Sequence, residues 1–467
     1  MFNSLFNGMF SRREMLKTAS CGFGFLALAD MVTRAAAKES TKESTKDSNN
    51  LLAAKAPNFP ARAKRVIFMF MAGAPSHVDT FDYKPQLIAD NGKEAAGKGG
   101  KGRKLLKSPF KFSQHGQSGL WFPEVLPNLA QHADEMCLLN SMHTDLPAHS
   151  NATIMLHTGN FRFVRPSMGA WTLYGLGTEN SELPGFITLN PQGGGAQNYA
   201  SAFLPAAFQG TRIEGNDRRK GAIANIENSK LSEDLQRKQL DLLASLNRER
   251  LDKDKVNPGL EGVIESYELA FKMEGAIPQV MDLSGETEAT QKAYGIGIKG
   301  TANFGKQCLL ARRFAEAGVR FIEVGVGGWD QHRDLKAKLT TNCHSIDKPI
   351  AALLADLKQR DMLKDTLIVW GGEFGRTPGA QNSDGRDHNS SGFSMWMAGG
   401  GVKGGQRYGA TDEHGIAAVE KKMHINDLHA TMLYLLGLDH EKLTYQYSGR
   451  AIRLTDLAGV VAKEVIA

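Results

Sequence analysis

Cysteine is scarce in this chain. Its 467 residues include four, Cys21, Cys137, Cys308 and Cys343, and none forms a Cys-x-x-Cys pair. Cys21 lies in a segment that reads as a removable leader, which leaves three. A disulfide framework is therefore not expected. A long apolar run near the N-terminus is also missing. Ala19 to Ala29 falls short of the roughly 20 residues a membrane helix needs, so no stable membrane anchor is expected. Charge of one sign is not concentrated either. Lys and Arg number 56 against 50 Asp and Glu, a net charge of +6. A nucleic-acid binder needs a basic face. Only residues 93–111 offer a candidate, and no nucleic-acid partner is expected.

The N-terminus carries an address. "SRREMLKTASCGFGFLALADMVTRAAAKES" sets Arg12 and Arg13 before a short apolar run, with a small-residue cleavage site at Ala35 to Ala37. This resembles a twin-arginine export signal over residues 1–37. It implies the twin-arginine machinery as a partner and a periplasmic or otherwise exported location. "KESTKESTKDS" (38–48) has no apolar face, so residues 38–60 read as a disordered linker. Residues 61–467 read as a single domain with insertions near 90–120 and 190–300. Residues 97–107 read as a mobile loop, and 228–256 as a charged helix.

Apolar runs at 65–73, 319–328, 365–373 and 393–401 read as strands buried on both faces, as a parallel sheet requires. Residues 136–142 and 185–190 are weaker versions. Helical spacing at 303–318, 345–362 and 425–437 alternates with them. The expectation is an α/β fold, a mostly parallel central sheet with helices on both faces.

Ligands of such sheets bind beyond the carboxyl ends of the strands. The first run leads into His77, Asp79, Thr80 and Asp82. The second leads into Asp330, His332 and Asp334. The third ends on Glu373, followed by Arg376, Arg386 and the pair Asp387-His388. A further segment, "DLPAHSNATIMLHTGN", carries His149, Ser150 and His157. Asp, Glu and His are the residues that hold divalent ions in hydrolases. Each piece alone also fits a helix cap, a turn or a structural histidine. Their coincidence after three strands favours a metal site.

"GAPSHVDTFDYKP", "AHSNATIMLHTGN", "GGWDQHRDL", "GGEFGRTP" and "GRDHNSSGFSMWMAGGGVKGG" resemble the signature segments of exported bacterial proteins known as domain-of-unknown-function family 1501. That family resembles the alkaline phosphatase and sulfatase superfamily. The resemblance implies an alkaline-phosphatase-like sandwich and hydrolysis of phosphate or sulfate esters on small molecules or glycans. It also implies one or two divalent ions (Zn, Mg, Mn or Ca). Carried over, Glu373 takes a ligand position, and Phe374 stands where a His or Asn ligand is usual. Asp330, His332 and His388 are implied to hold one ion, and His77, Asp79 and Glu373 a second. His149 falls at the nucleophile position with Ser150 beside it, and could serve as nucleophile, general base or a further ligand. Ser150 or Thr80 could be the attacking hydroxyl. Arg376 and Arg386 are implied to bind ester oxygens. Cys308 to Arg312 approaches the formylglycine motif but has Leu where Pro or Ala belongs. The alternative is a non-catalytic member of the fold that binds metal or glycan.

Overall fold

Every second residue of Arg65–Met71 (β1) enters a different core. Ile67, Met69 and Met71 pack with one apolar cluster, and Val66, Phe68 and Phe70 with another. Side chains alternate across a strand, so a continuous apolar run fits only a strand covered on both faces. The computed structural model describes residues 50–95, 102–214, 232–254 and 258–467, and β1 lies inside its nine-stranded sheet.

The other strands of that sheet are Met136–His143 (β2), Phe186–Leu189 (β3), Thr211–Ile213 (β4), Phe321–Val326 (β5) and Thr366–Gly371 (β6). Gly375–Gln381 (β7) and Gly385–Asn389 (β8) form a separate hairpin. Phe393–Ala398 (β9), Gln406–Tyr408 (β10) and Met423–His424 (β11) complete the main sheet. Its order is β10-β2-β9-β6-β1-β5-β3-β4, with β11 also paired to β2. Every pairing is parallel except the two made by β9. The structure thus has the expected α/β architecture.

Helix His149–Thr158 (α1) and helix Ile425–Leu435 (α6) cover one face. Helices Ala302–Glu316 (α4) and Leu335–Gln359 (α5) cover the other. Helices Glu233–Asp254 (α2) and Pro258–Met281 (α3) fall in the expected insertion. Helix α5 begins ten residues earlier than the spacing predicts and continues through Pro349. Among the described residues no helix is long and apolar enough to cross a membrane.

The expected leader and residues 38–49 lie outside the described residues. Residues 50–60, expected as linker, are instead packed on the fold. Leu52 is buried, Asn58 N donates to Gly437 O at 2.8 Å, and the Phe59 ring lies 4.7 Å from that of Tyr434. Leu52 and Phe59 give this stretch the apolar surface that the preceding repeat lacks. Part of the basic segment expected as a mobile loop is ordered against the fold. Residues 96–101 lie outside the described set, but Lys104 to Leu106 is hydrogen-bonded along β7.

Candidate metal centre

Strands β1, β5 and β6 are parallel, so their carboxyl ends meet at one edge. Gly73 follows β1 there with φ of +110°. A Cβ on it would lie 2.6 Å from Asp330 N, so only glycine lets the two turns pass so closely. Its N–H donates to Glu373 Oε1 at 3.0 Å. Glu373, just beyond β6, is buried, and its Oε1 lies 2.6 Å from His149 Nδ1 at the start of α1. The far end of α1 is pinned to β5. His157 Nε2 lies 3.4 Å from Glu323 Oε2, and both side chains are buried.

The hairpin brings up another imidazole. Its register shifts between Arg386 and His388, opposite Thr377, Pro378 and Gly379. Pro378 has no N–H to pair, and this stretch bonds instead to Lys104 to Leu106. The irregularity lets two residues, two apart on one strand, point to different places. Arg386 turns inward and His388 turns toward α1. A Cβ on Gly385 would lie 2.0 Å from His332 O, so glycine also admits the hairpin beside His332.

Four side chains converge as a result. Ligand atoms of His149, Asp330, His332 and His388 all lie within 4.8 Å of one another, the one such group of His, Cys, Asp and Glu among the described residues. Asp330 Oδ1 lies 2.9 Å from His332 Nε2, 3.3 Å from His149 Nε2 and 3.5 Å from His388 Nε2. His332 Nε2 and His388 Nε2 are 3.0 Å apart. Tetrahedral ligands at about 2.0–2.1 Å from an ion stand roughly 3.3 Å from each other, so this spacing fits one ion.

The other ring nitrogens strengthen the fit. His149 Nδ1 faces Glu373, His332 Nδ1 faces Gln381 Oε1 at 2.5 Å, and His388 Nδ1 faces Pro147 O at 2.7 Å. An acceptor at Nδ1 holds the proton there and turns the Nε2 lone pair inward. His149 Nε2 is buried without a hydrogen-bond partner, as an atom aimed at an ion would be. Phe374 forms an apolar wall, its ring centroid 4.8 Å from those of both His149 and His388.

The local electrostatics are opposed. Burial alone would lower the basicity of His149, but the hydrogen bond and charge of Glu373, with Asp330, raise it. Burial lowers the basicity of His388, the Pro147 carbonyl offsets part of that, and the charges of Arg376, His149 and His332 lower it further. Burial would raise Asp330, but Arg376 and then the two histidines hold it at about 2.

The remaining expected site residues take other roles. Asp79 does not join a second ion site. It is fully buried against Arg386, with Arg386 Nε donating to Asp79 Oδ2 at 2.6 Å and Nη2 to Oδ1 at 3.0 Å. A carboxylate so far from water requires a paired charge. His77 Nε2 faces Gly415 O at 2.8 Å, and Glu373 serves His149, so the expected second trio does not assemble. Arg376 and Arg386 are not open to an ester. Both are fully buried. Arg376 Nη2 donates to Asp330 Oδ1 at 2.6 Å, and Arg376 also reaches Gly73 O and Ala74 O. Ser150 is exposed on the first turn of α1. Thr80 is buried and donates to Ser76 O at 2.9 Å. Asp387 accepts from Arg103 Nη2 at 2.6 Å and from His388 N at 2.9 Å, which steadies the turn before His388. Gln381, Arg103 and the Pro147 carbonyl were not foreseen. A backbone acceptor leaves no mark on a sequence, and a lone Gln or Arg none that distinguishes it.

Residues 63–466 match the family described as "Protein of unknown function (DUF1501)". The chain belongs to that family. Among solved structures, this DUF1501 chain is similar to the PsFucS1 sulfatase from Pseudoalteromonas sp., at 12% identity and a TM-score of 0.37, covering 87% of this chain and 72% of that one. It is similar to the lipoteichoic acid synthase LtaP from Listeria monocytogenes, at 11% identity and a TM-score of 0.37, covering 87% and 79%. It is also similar to the alkaline phosphatase from the Antarctic bacterium TAB5, at 10% identity and a TM-score of 0.31, covering 73% and 92%. Likeness at that level says nothing of what the DUF1501 site does. No curated protein is similar to the chain.

Proposed function

We propose that this chain is an exported, metal-dependent hydrolase of phosphate or sulfate esters. One observation carries the reading: three imidazoles and a carboxylate converge at the carboxyl edge of a parallel sheet, with each imidazole held by an acceptor on its far nitrogen. His149, Asp330, His332 and His388 would hold one divalent ion. Three nitrogen donors favour zinc or a similar transition metal over magnesium or calcium. Such an ion supplies Lewis acidity at an ester oxygen and a more acidic water. Glu373 keeps His149 oriented, Arg376 shares the Asp330 charge, and Phe374 excludes water from one side. The twin-arginine leader read in residues 1–37 supports export.

A second reading is a metal-holding member of the fold without catalysis. His149 stands at the nucleophile position yet faces the cluster, and Thr80 is spent on a backbone carbonyl. The two readings separate in sequence. Elemental analysis of the purified chain should find about one divalent ion per chain, and its absence removes both. Aryl phosphate and aryl sulfate esters then test turnover, beside His388→Ala. Turnover lost in that variant supports the hydrolase. Metal without turnover of any ester leaves the binding reading. Turnover unchanged by His388→Ala removes His388 from the site.

A further inference from the structure

Beyond the end of α1 that carries His157, two neighbouring loops expose large apolar side chains. Phe163 is 63% and Val164 62% exposed on one, and Leu457 is 94% and Val460 72% exposed on the other. Asn160 joins the loops. Its Oδ1 accepts from Arg162 N and Phe163 N at 2.9 and 3.0 Å, and its Nδ2 donates to Asp456 Oδ2 at 3.1 Å. Asn160 thus ties the two loops together at the base of their apolar residues.

Arginines frame them. Arg162 lies over the Phe161 ring at 5.4 Å, and Arg165 over Phe163 at 5.4 Å and Phe203 at 5.8 Å. Among the described residues neither has a carboxylate partner. Arg453, on the second loop, is 3.5 Å from Glu441. Asp456, the acid nearest the tips in sequence, is occupied by Asn160. Exposed hydrocarbon bordered by arginines is what a surface needs to enter the headgroup region of an anionic bilayer. The arginine stems reach along the apolar part while their charges stay at the phosphates. A glycan platform fits less well. Three of the four exposed side chains are aliphatic or lie on aliphatic tips, and the Phe203 ring is already stacked with Tyr447 at 4.6 Å and 17°.

We infer that the face formed by residues 160–165 and 453–460 docks reversibly on an anionic lipid surface. His149 and this face lie at opposite ends of α1, ten residues long, or about 15 Å at 1.5 Å per residue. The inference is independent of what the His149 cluster does.

Co-sedimentation of the full chain with vesicles of mixed phosphatidylglycerol and phosphatidylcholine, and with vesicles of phosphatidylcholine alone, tests it. The chain should prefer the mixed vesicles, and the preference should weaken with salt. Phe163→Asp with Leu457→Asp should weaken binding at least about tenfold. Arg162→Gln with Arg165→Gln should remove the preference for phosphatidylglycerol. Both pairs lie on exposed or half-exposed positions, and an unchanged melting midpoint checks that they fold. Absence of binding to mixed vesicles overturns the inference. So does binding that the apolar pair leaves unchanged, or a wild-type dimer that the same pair dissociates, since the face is then a protein interface.

Discussion

Glu373 Oε1 lies 2.6 Å from His149 Nδ1, so a buried carboxylate from the end of β6 sets the orientation of an imidazole on α1. The same carboxylate accepts from Gly73 N. It thus joins three segments that meet at the site.

Removing that charge tests its orienting role. Glu373→Gln keeps the side-chain shape but weakens the acceptor at His149 Nδ1. Loss of such a partner typically costs 10–100-fold in metal affinity. Titration with zinc followed by calorimetry should show a loss in that range, with one site retained. An unchanged affinity would mean His149 needs no such partner.

The raised basicity of His149 gives a pH signature. Without metal, its protonated form pairs with Glu373 and Asp330. That stabilisation is fully present below the ordinary value of 6.5 and is lost as pH rises through the higher folded value. Metal requires the neutral ring, so affinity moves the other way and increases over the same window. The gap in melting midpoint between metal-loaded and chelator-treated protein should widen as pH rises from the ordinary value of 6.5 through the higher folded value. A gap that narrows with pH would contradict the assignment.

Asp79 and Arg386 make a stability prediction separate from metal. Arg386→Met leaves the fully buried Asp79 without its charged partner, with the Ser76 hydroxyl remaining, at a cost of about 3–5 kcal/mol. Denaturant unfolding should show that loss, while metal content per folded chain stays the same. Loss of metal without loss of stability would return Asp79 to the ion.

Gly73→Ala attacks the close passage of two turns. The added Cβ meets Asp330 N at 2.6 Å, with φ at +110°. Such strain costs of order 1–3 kcal/mol, and relief requires the Trp329-Asp330 turn to move. Both a lower melting midpoint and weaker metal retention are expected. Normal values for both would show that the turn gives way freely.

The sheet was legible because apolar runs such as 65–73 and 365–373 are continuous, and only strands covered on both faces read that way. The position of Asp330, His332, Glu373 and His388 after or beside those strands was legible for the same reason. Partner choice was not. Asp79 has the residue type and spacing of a ligand, but a guanidinium more than 300 positions away in sequence takes it. Residues 371–389 read in the sequence as a loop with a candidate ligand at each end, Glu373 and His388. It is a hairpin whose register breaks opposite Pro378, and pairing with residues 104–106 fixes that break. Contacts of that range leave no periodic trace. Phe374, expected only as a missing ligand, instead walls the cluster.

The cluster draws its donors from α1, from the turn after β5 and from the hairpin before β9. No fragment ending before residue 388 contains all four. An ion held there would act as a late clasp, closing only after distant parts of the chain have found each other. Tight metal retention would therefore report completed folding, and a chain stalled before the hairpin would give its ion up to a chelator.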